Sequence, residues 1–120
     1  MEFVEYRNEQ PPLKGDLPAC PVQTCVQLIG GRWKILILRD LLSGTKRFRE
    51  LQRSVGDISQ KVLTSALREM EADGLVIRRV YPEVPPRVEY LLSEAGMSLR
   101  PVIEAMWTWG ENYQAAARDC

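Results

Sequence analysis

The chain has 120 residues, 45% of them apolar and 27% charged, with 16 basic and 16 acidic side chains. This length fits one compact domain, and the balance is that of an ordinary globular protein. It has no histidine, the commonest metal ligand and general base, and its three cysteines lack the paired spacing of a zinc site or a secreted disulfide framework.

No apolar run approaches the roughly 18 residues of a membrane span. Residues 1–17 lack the apolar core of a secretion signal, so the expectation is a cytoplasmic protein with no membrane partner. The zero net charge conceals an asymmetry. Residues 32–87 carry 12 Lys/Arg against 7 Asp/Glu, whereas residues 1–31 and 88–120 are net acidic. The basic excess therefore points to a local anion-binding surface.

In chain order, residues 1–17 read as an irregular arm broken by Pro11-Pro12 and Gly15-Asp16. Cys20-Pro21 opens a first helix with proline at its first position, and Gly30-Gly31 ends it. Val22, Val26 and Ile29 form its apolar stripe, with Cys25 alongside. A second helix, about 32–42, is apolar nearly all round, as a core helix must be. A third, about 47–54, buries Phe48, Leu51 and Val55 and leaves Lys46, Arg47, Arg49 and Arg53 on or beside its free surface.

After a tight turn at 55–58, Ser59 caps a fourth helix over 60–73, which Gly74 stops. Its inward stripe is predicted as Val62, Leu63, Ala66, Leu67 and Met70. Gln60, Lys61, Thr64, Ser65, Arg68 and Glu69 face out. Residues 75–81 and 87–92 are β-rich runs joined by a proline-stiffened tip. A hairpin centred on Val84 sets Arg79 opposite Glu89 and Tyr81 opposite Arg87. Ser93 then caps a last helix that Pro101 kinks or restarts.

Helix, turn, helix and ribbon in this order define a winged helix-turn-helix. The fold class expected is mainly α with a small β-wing (α+β). The domain covers residues 18–113, between the irregular arm and a C-terminal tail at 114–120. The fourth helix has what a major-groove reader needs: one face anchored, the other lined with short polar and long cationic side chains. Gln60 suits adenine edges, Lys61 and Arg68 suit guanine or phosphate, and Ser59, Thr64 and Ser65 permit close approach. Lys46, Arg47 and Arg49 are expected to grip phosphates. Arg87, beside Pro85 and Pro86, is expected to be aimed at a flanking minor groove. Two pairings compete with these roles: Arg68 with Glu69 or Glu71, and Arg79 with Glu89.

The segments Cys20-Pro-Val-Gln, Ile29-Gly-Gly-Arg-Trp-Lys, Arg47-Phe-Arg-Glu-Leu, Ile58-Ser-Gln-Lys-Val-Leu-Thr, Leu67-Arg-Glu-Met-Glu-Ala-Asp-Gly-Leu-Val and Tyr81-Pro-Glu-Val-Pro-Pro-Arg-Val-Glu-Tyr occur in that order. Over about residues 18–113 the chain resembles the HxlR family of winged-helix regulators, related in fold to the MarR family. The resemblance implies a homodimer on an inverted-repeat double-stranded DNA operator. It implies that residues 59–64 open the recognition helix and that the first and last helices form the dimer interface, which brings in Val22 and Val26. It also implies a sensor of quinones, aldehydes or disulfide stress at Cys20.

The residues support parts of this directly. Met106, Trp107 and Trp109 cannot all face one small core, and a two-fold operator needs a two-fold protein. A helix start favours a negatively charged sulfur, the form that reacts with oxidants and electrophiles. Cys20 and Cys25 are separated by roughly 8–9 Å along a helix, beyond disulfide reach within one chain. A cross-subunit bridge is open to them if the first helices meet at the dimer axis; otherwise Cys25 reads as a small core residue, and the terminal Cys120 as inert.

Three alternatives stand beside a thiol-switched regulator. One is a ligand-responsive regulator with an aromatic pocket at Trp107, Trp109 and Tyr113. Another is a winged-helix module that binds protein rather than DNA. The third, an enzyme, is disfavoured, because no glycine-rich phosphate loop, metal pattern or catalytic carboxylate pair is present. No cofactor is implied.

Overall fold

The computed structural model describes residues 2–9 and 17–118. Strand β1 (Val4–Tyr6) is followed by helices α1 (Pro21–Ile29) and α2 (Lys34–Leu41), strand β2 (Lys46–Arg47), and helices α3 (Phe48–Val55) and α4 (Gln60–Ala72). Strands β3 (Val76–Tyr81) and β4 (Arg87–Leu92) form the wing, and α5 (Glu94–Met97) and α6 (Arg100–Arg118) complete the chain. The four strands make one antiparallel sheet in the order β1-β3-β4-β2. The fold is the expected α+β winged helix-turn-helix.

Each helix of the reading unit ends where local chemistry dictates. The Glu50 carboxylate accepts a 2.8 Å hydrogen bond from the Arg47 backbone N–H at the start of α3. Gly56, at φ +114°, lets the chain leave α3 through a conformation that other residues rarely adopt. The Gln52 side-chain amide then donates to the Ile58 carbonyl across the turn (3.1 Å). The Ser59 hydroxyl accepts from the Val62 N–H (3.1 Å), capping α4. The angle between α3 and α4 is thus braced by a glycine turn, an amide strut and a cap.

The core lies where α2, α3 and α4 meet the sheet. Ile37, Leu38, Leu41, Leu51, Leu63, Leu67, Met70 and Val76 are essentially inaccessible, and Ile103 brings the base of α6 into the same cluster. Burying each such side chain contributes about 1.5–3 kcal/mol. Pro101 stands in the first turn of α6, where it restarts the helix after α5, whose cap is Ser93.

Three expectations change. Residues 4–6, read as part of an irregular arm, form an edge strand paired with β3, with Glu5 opposite Arg79 and Tyr6 opposite Arg78. Residues 10–16, with the Pro-Pro and Gly-Asp breaks, and Cys120 lie outside the described residues. Lys46 and Arg47 belong to a two-residue strand on β4 rather than to the third helix. Val62, assigned to the buried stripe, is 42% exposed. It stands one residue, about 100° of helical rotation, before the true stripe of Leu63, Ala66, Leu67 and Met70, and so falls at its edge.

Candidate nucleic-acid interface

The anchored side of α4 decides what its other side presents. With Leu63, Ala66, Leu67 and Met70 buried, Gln60, Lys61, Ser65 and Arg68 are exposed and Thr64 is half-buried. Ser59 sits at the helix start, its hydroxyl engaged in the cap. The six expected residues of this element share one continuous surface.

Arg47 and Arg49 are exposed and Lys46 half-exposed at the front of α3. Arg47 and Arg49, together with Phe48, Glu50 and Arg53, face the wing tip across a cleft of about 690 Å3, whose far wall includes Val84, Pro85, Pro86 and Arg87. Val84 is fully exposed at that tip. Sequence reasoning left Arg53 without a role, although its i, i+4 spacing from Arg49 puts both on this cleft.

The cations fall into two sets. On β2, α3 and α4, Lys46, Arg47, Arg49, Lys61 and Arg68 have no carboxylate partner among the described residues. Arg68 is left open because both of its candidate partners are taken: Glu69 pairs with Lys34 (2.9 Å) and Glu71 with Arg78 (3.0 Å).

On the wing the reverse holds. Arg78 also lies over the Tyr6 ring, 4.1 Å from its centroid. Arg79 pairs with Glu5 (2.9 Å) and lies over Phe3. The expected Arg79–Glu89 ion pair does not form although the two are in register, because β1 supplies a nearer carboxylate on the other side. Glu89 stands instead 3.8 Å from Arg87, which reaches Glu83 at 3.3 Å and lies over Tyr81 at 3.9 Å. The Arg87 Nε is buried and makes no hydrogen bond among the described residues. Arg87 is therefore folded onto its own strand pair rather than extended from the tip.

Glu5 sits between Arg79 and Arg7. The hydrogen bond from Arg79 holds its carboxyl below the usual glutamate range, aided by Arg7 and opposed by partial burial.

Two further surfaces stand apart from the cationic face. Along α1, Val22 (70% exposed) and Val26 (62%) face outward, and α6 exposes Met106, Trp107, Trp109 and Tyr113. Trp109 and Tyr113 stack with centroids 5.1 Å apart. The aromatic residues of α6 are mostly exposed. Cys20 is exposed at the cap of α1, whereas Cys25 is half-buried against the core. No helix among the described residues is long and apolar enough to cross a membrane.

Residues 28–118 match the model of the HxlR-like helix-turn-helix family. The chain belongs to that family. It is 48% identical over 99 residues to the HTH-type transcriptional regulator YdeP of Bacillus subtilis, spanning 82% of this chain and 77% of the relative. The redox regulator HypR is similar in both of its solved states. Its reduced form shares 42% identity at a TM-score of 0.78, over 84% of this chain and 100% of that one. Its oxidised form shares 47% at 0.73, over 78% and 96%. This HxlR-family chain is accordingly a transcriptional regulator with a helix-turn-helix DNA-binding fold, and its relatives are regulators rather than enzymes.

Proposed function

We propose that two copies of the chain pair through α1 and α6, set their α4 helices into major grooves of an inverted-repeat DNA operator, and release it when Cys20 is oxidised or alkylated. The observation that carries the DNA reading is the unneutralised polar and cationic face of α4, continuous with the cations of β2 and α3. A major-groove reader needs donors on a helix that cannot roll, and the four buried residues of α4 prevent rolling. In this reading Gln60, Lys61, Thr64, Ser65 and Arg68 meet base edges or adjacent phosphates. Lys46, Arg47 and Arg49 fix the orientation, and Arg87 has a smaller part, already compensated by Glu83 and Glu89.

Support for the dimer comes from the apolar exposure of Val22, Val26, Met106, Trp107 and Trp109, which is costly for a lone chain in water. Two-fold pairing would also match the two halves of an inverted repeat. Support for the switch comes from the place of Cys20: exposed, and at the start of the helix that carries Val22 and Val26. A bulky adduct or a cross-subunit bridge there would alter how two α1 helices meet. The similarity to HypR, a redox regulator solved in reduced and oxidised forms, points the same way.

The test is fluorescence anisotropy on the chain's own upstream intergenic DNA, with and without diamide or a quinone, run beside Cys20→Ser. Sedimentation supplies the mass of the bound species. Steeply salt-dependent binding, lost on oxidation in the wild type alone, is the expected result. Binding indifferent to oxidant would remove Cys20 from the mechanism. Binding flat in salt would remove the DNA reading altogether.

A further inference from the structure

Beside α4 lies a second cleft, of about 450 Å3, whose lining includes Gly30, Gly31, Arg32, Lys61, Ser65 and Glu69. It is continuous with the reading face, because Lys61 and Ser65 belong to both. Its outer wall is the turn between α1 and α2, and that turn is built from glycine for identifiable reasons. A Cβ on Gly30 would fall 2.2 Å from the Val26 carbonyl oxygen, and Gly31 adopts φ +90°. The turn delivers Arg32 to the surface, where its guanidinium lies 4.5 Å from the centroid of the Trp33 ring.

The electrostatics of this cleft separate its three cations. Lys34 is paired with Glu69 at 2.9 Å, and Asp73 lies close enough for Lys34 to act on its carboxyl. That pair spends the charge of Lys34 but ties the start of α2 to α4. Arg32 has no carboxylate partner among the described residues. A ring face orients a guanidinium without cancelling its charge, so its donors stay available for a two-pronged contact with an anion. Lys61, on the opposite wall, is likewise uncompensated.

We infer that Arg32 is a further DNA-backbone contact: when α4 enters the major groove, this cleft takes a phosphate of the flanking strand, held by Arg32 with Lys61 at its edge. The inference rests on the DNA reading above and adds a contact site outside the helix-turn-helix and the wing. The Lys34–Glu69 bridge links the start of α2, two residues after Arg32, to α4. A phosphate contact carries no sequence preference, which distinguishes it from the base readers on α4. An acidic peptide would satisfy the same charges, but only DNA would reach the cleft and the reading face of α4 together.

The test compares wild type, Arg32→Ala, Arg32→Lys and Lys61→Ala on the operator and on an unrelated duplex, as a function of salt, with thermal melting as the folding control. Arg32→Ala is expected to weaken both duplexes by the same factor, about three- to tenfold, and to reduce the slope of log K against log salt by about one. Arg32→Lys should restore most of the slope, because it keeps the charge. An unchanged slope and affinity for a folded Arg32→Ala protein, beside steep wild-type binding, would overturn the inference and leave the DNA reading intact. Wild type that binds neither duplex but captures a poly-glutamate peptide through Arg32 would overturn both.

Discussion

The helical face carries six arginines and lysines and the wing three arginines, and the two sets are electrostatically different objects. On β2, α3 and α4 the cations have no acidic partner among the described residues, while Arg78, Arg79 and Arg87 on the wing each have at least one carboxylate and one aromatic ring. Counting basic residues credits both regions with positive charge; pairing them shows that the field offered to a polyanion comes from β2, α3 and α4. A paired arginine has to break its ion pair before it meets a phosphate, so its net contribution is small even where its reach is good.

The most damaging way to break this comparison is to remove what holds the helical face in place. Leu63→Ala, at a fully inaccessible site, should cost about 2–5 kcal/mol in urea unfolding. Val62→Ala, one residue away but half in solvent, should stay within about 0.5 kcal/mol. Equal losses would mean that α4 is not anchored by the stripe described. Next, Lys61→Ala should weaken operator binding by about 1–3 kcal/mol, roughly five- to 150-fold, in anisotropy titrations. Arg87→Ala should cost threefold or less, about the value of an exposed ion pair. A larger loss for Arg87 would reverse the ranking of the two regions.

Smaller effects sharpen it. Ser59→Ala should cost about 1 kcal/mol of stability, read by thermal melting, because the first turn of α4 loses its cap. Glu83→Gln should free Arg87 in part and raise affinity for unrelated DNA about twofold, with the operator less affected. The finest test is a carbon-detected titration of Glu5, whose midpoint should lie below an ordinary glutamate and return toward it in Arg79→Ala. Because the folded value is the lower one, this contact is fully present above about pH 4.3, the ordinary glutamate value. It is lost as pH falls through the depressed folded value.

What could be read without coordinates was the part governed by neighbours in the chain. Pro21, Gly56, Ser59, Gly74 and Ser93 mark helix ends by their own backbone and capping chemistry, and the ribbon register followed from a symmetrical tip at Val84. The cationic face of α4 was legible because burial of Leu63, Leu67 and Met70 determines what is left outside. Features set by distant partners were not legible. Strand β1 exists because β3, more than 70 residues away, offers it an edge. Strand β2 is two residues long, too short for any periodicity. Arg68 and Arg79 could not be resolved either, since which acid each meets depends on Lys34, Arg78 and Glu5 having made their own choices.

The short strand at the start of the chain has a consequence for how the protein behaves at high concentration. An unpaired β3 would present a six-residue row of backbone donors and acceptors next to Ile77 and Tyr81, a template on which another molecule's strand can add. With β1 on that edge and β2 on the other, the wing is hemmed on both sides by strands only three and two residues long. Neither hem is long enough to nucleate further pairing, so these few residues act as a selvedge that keeps the sheet from growing into its neighbours.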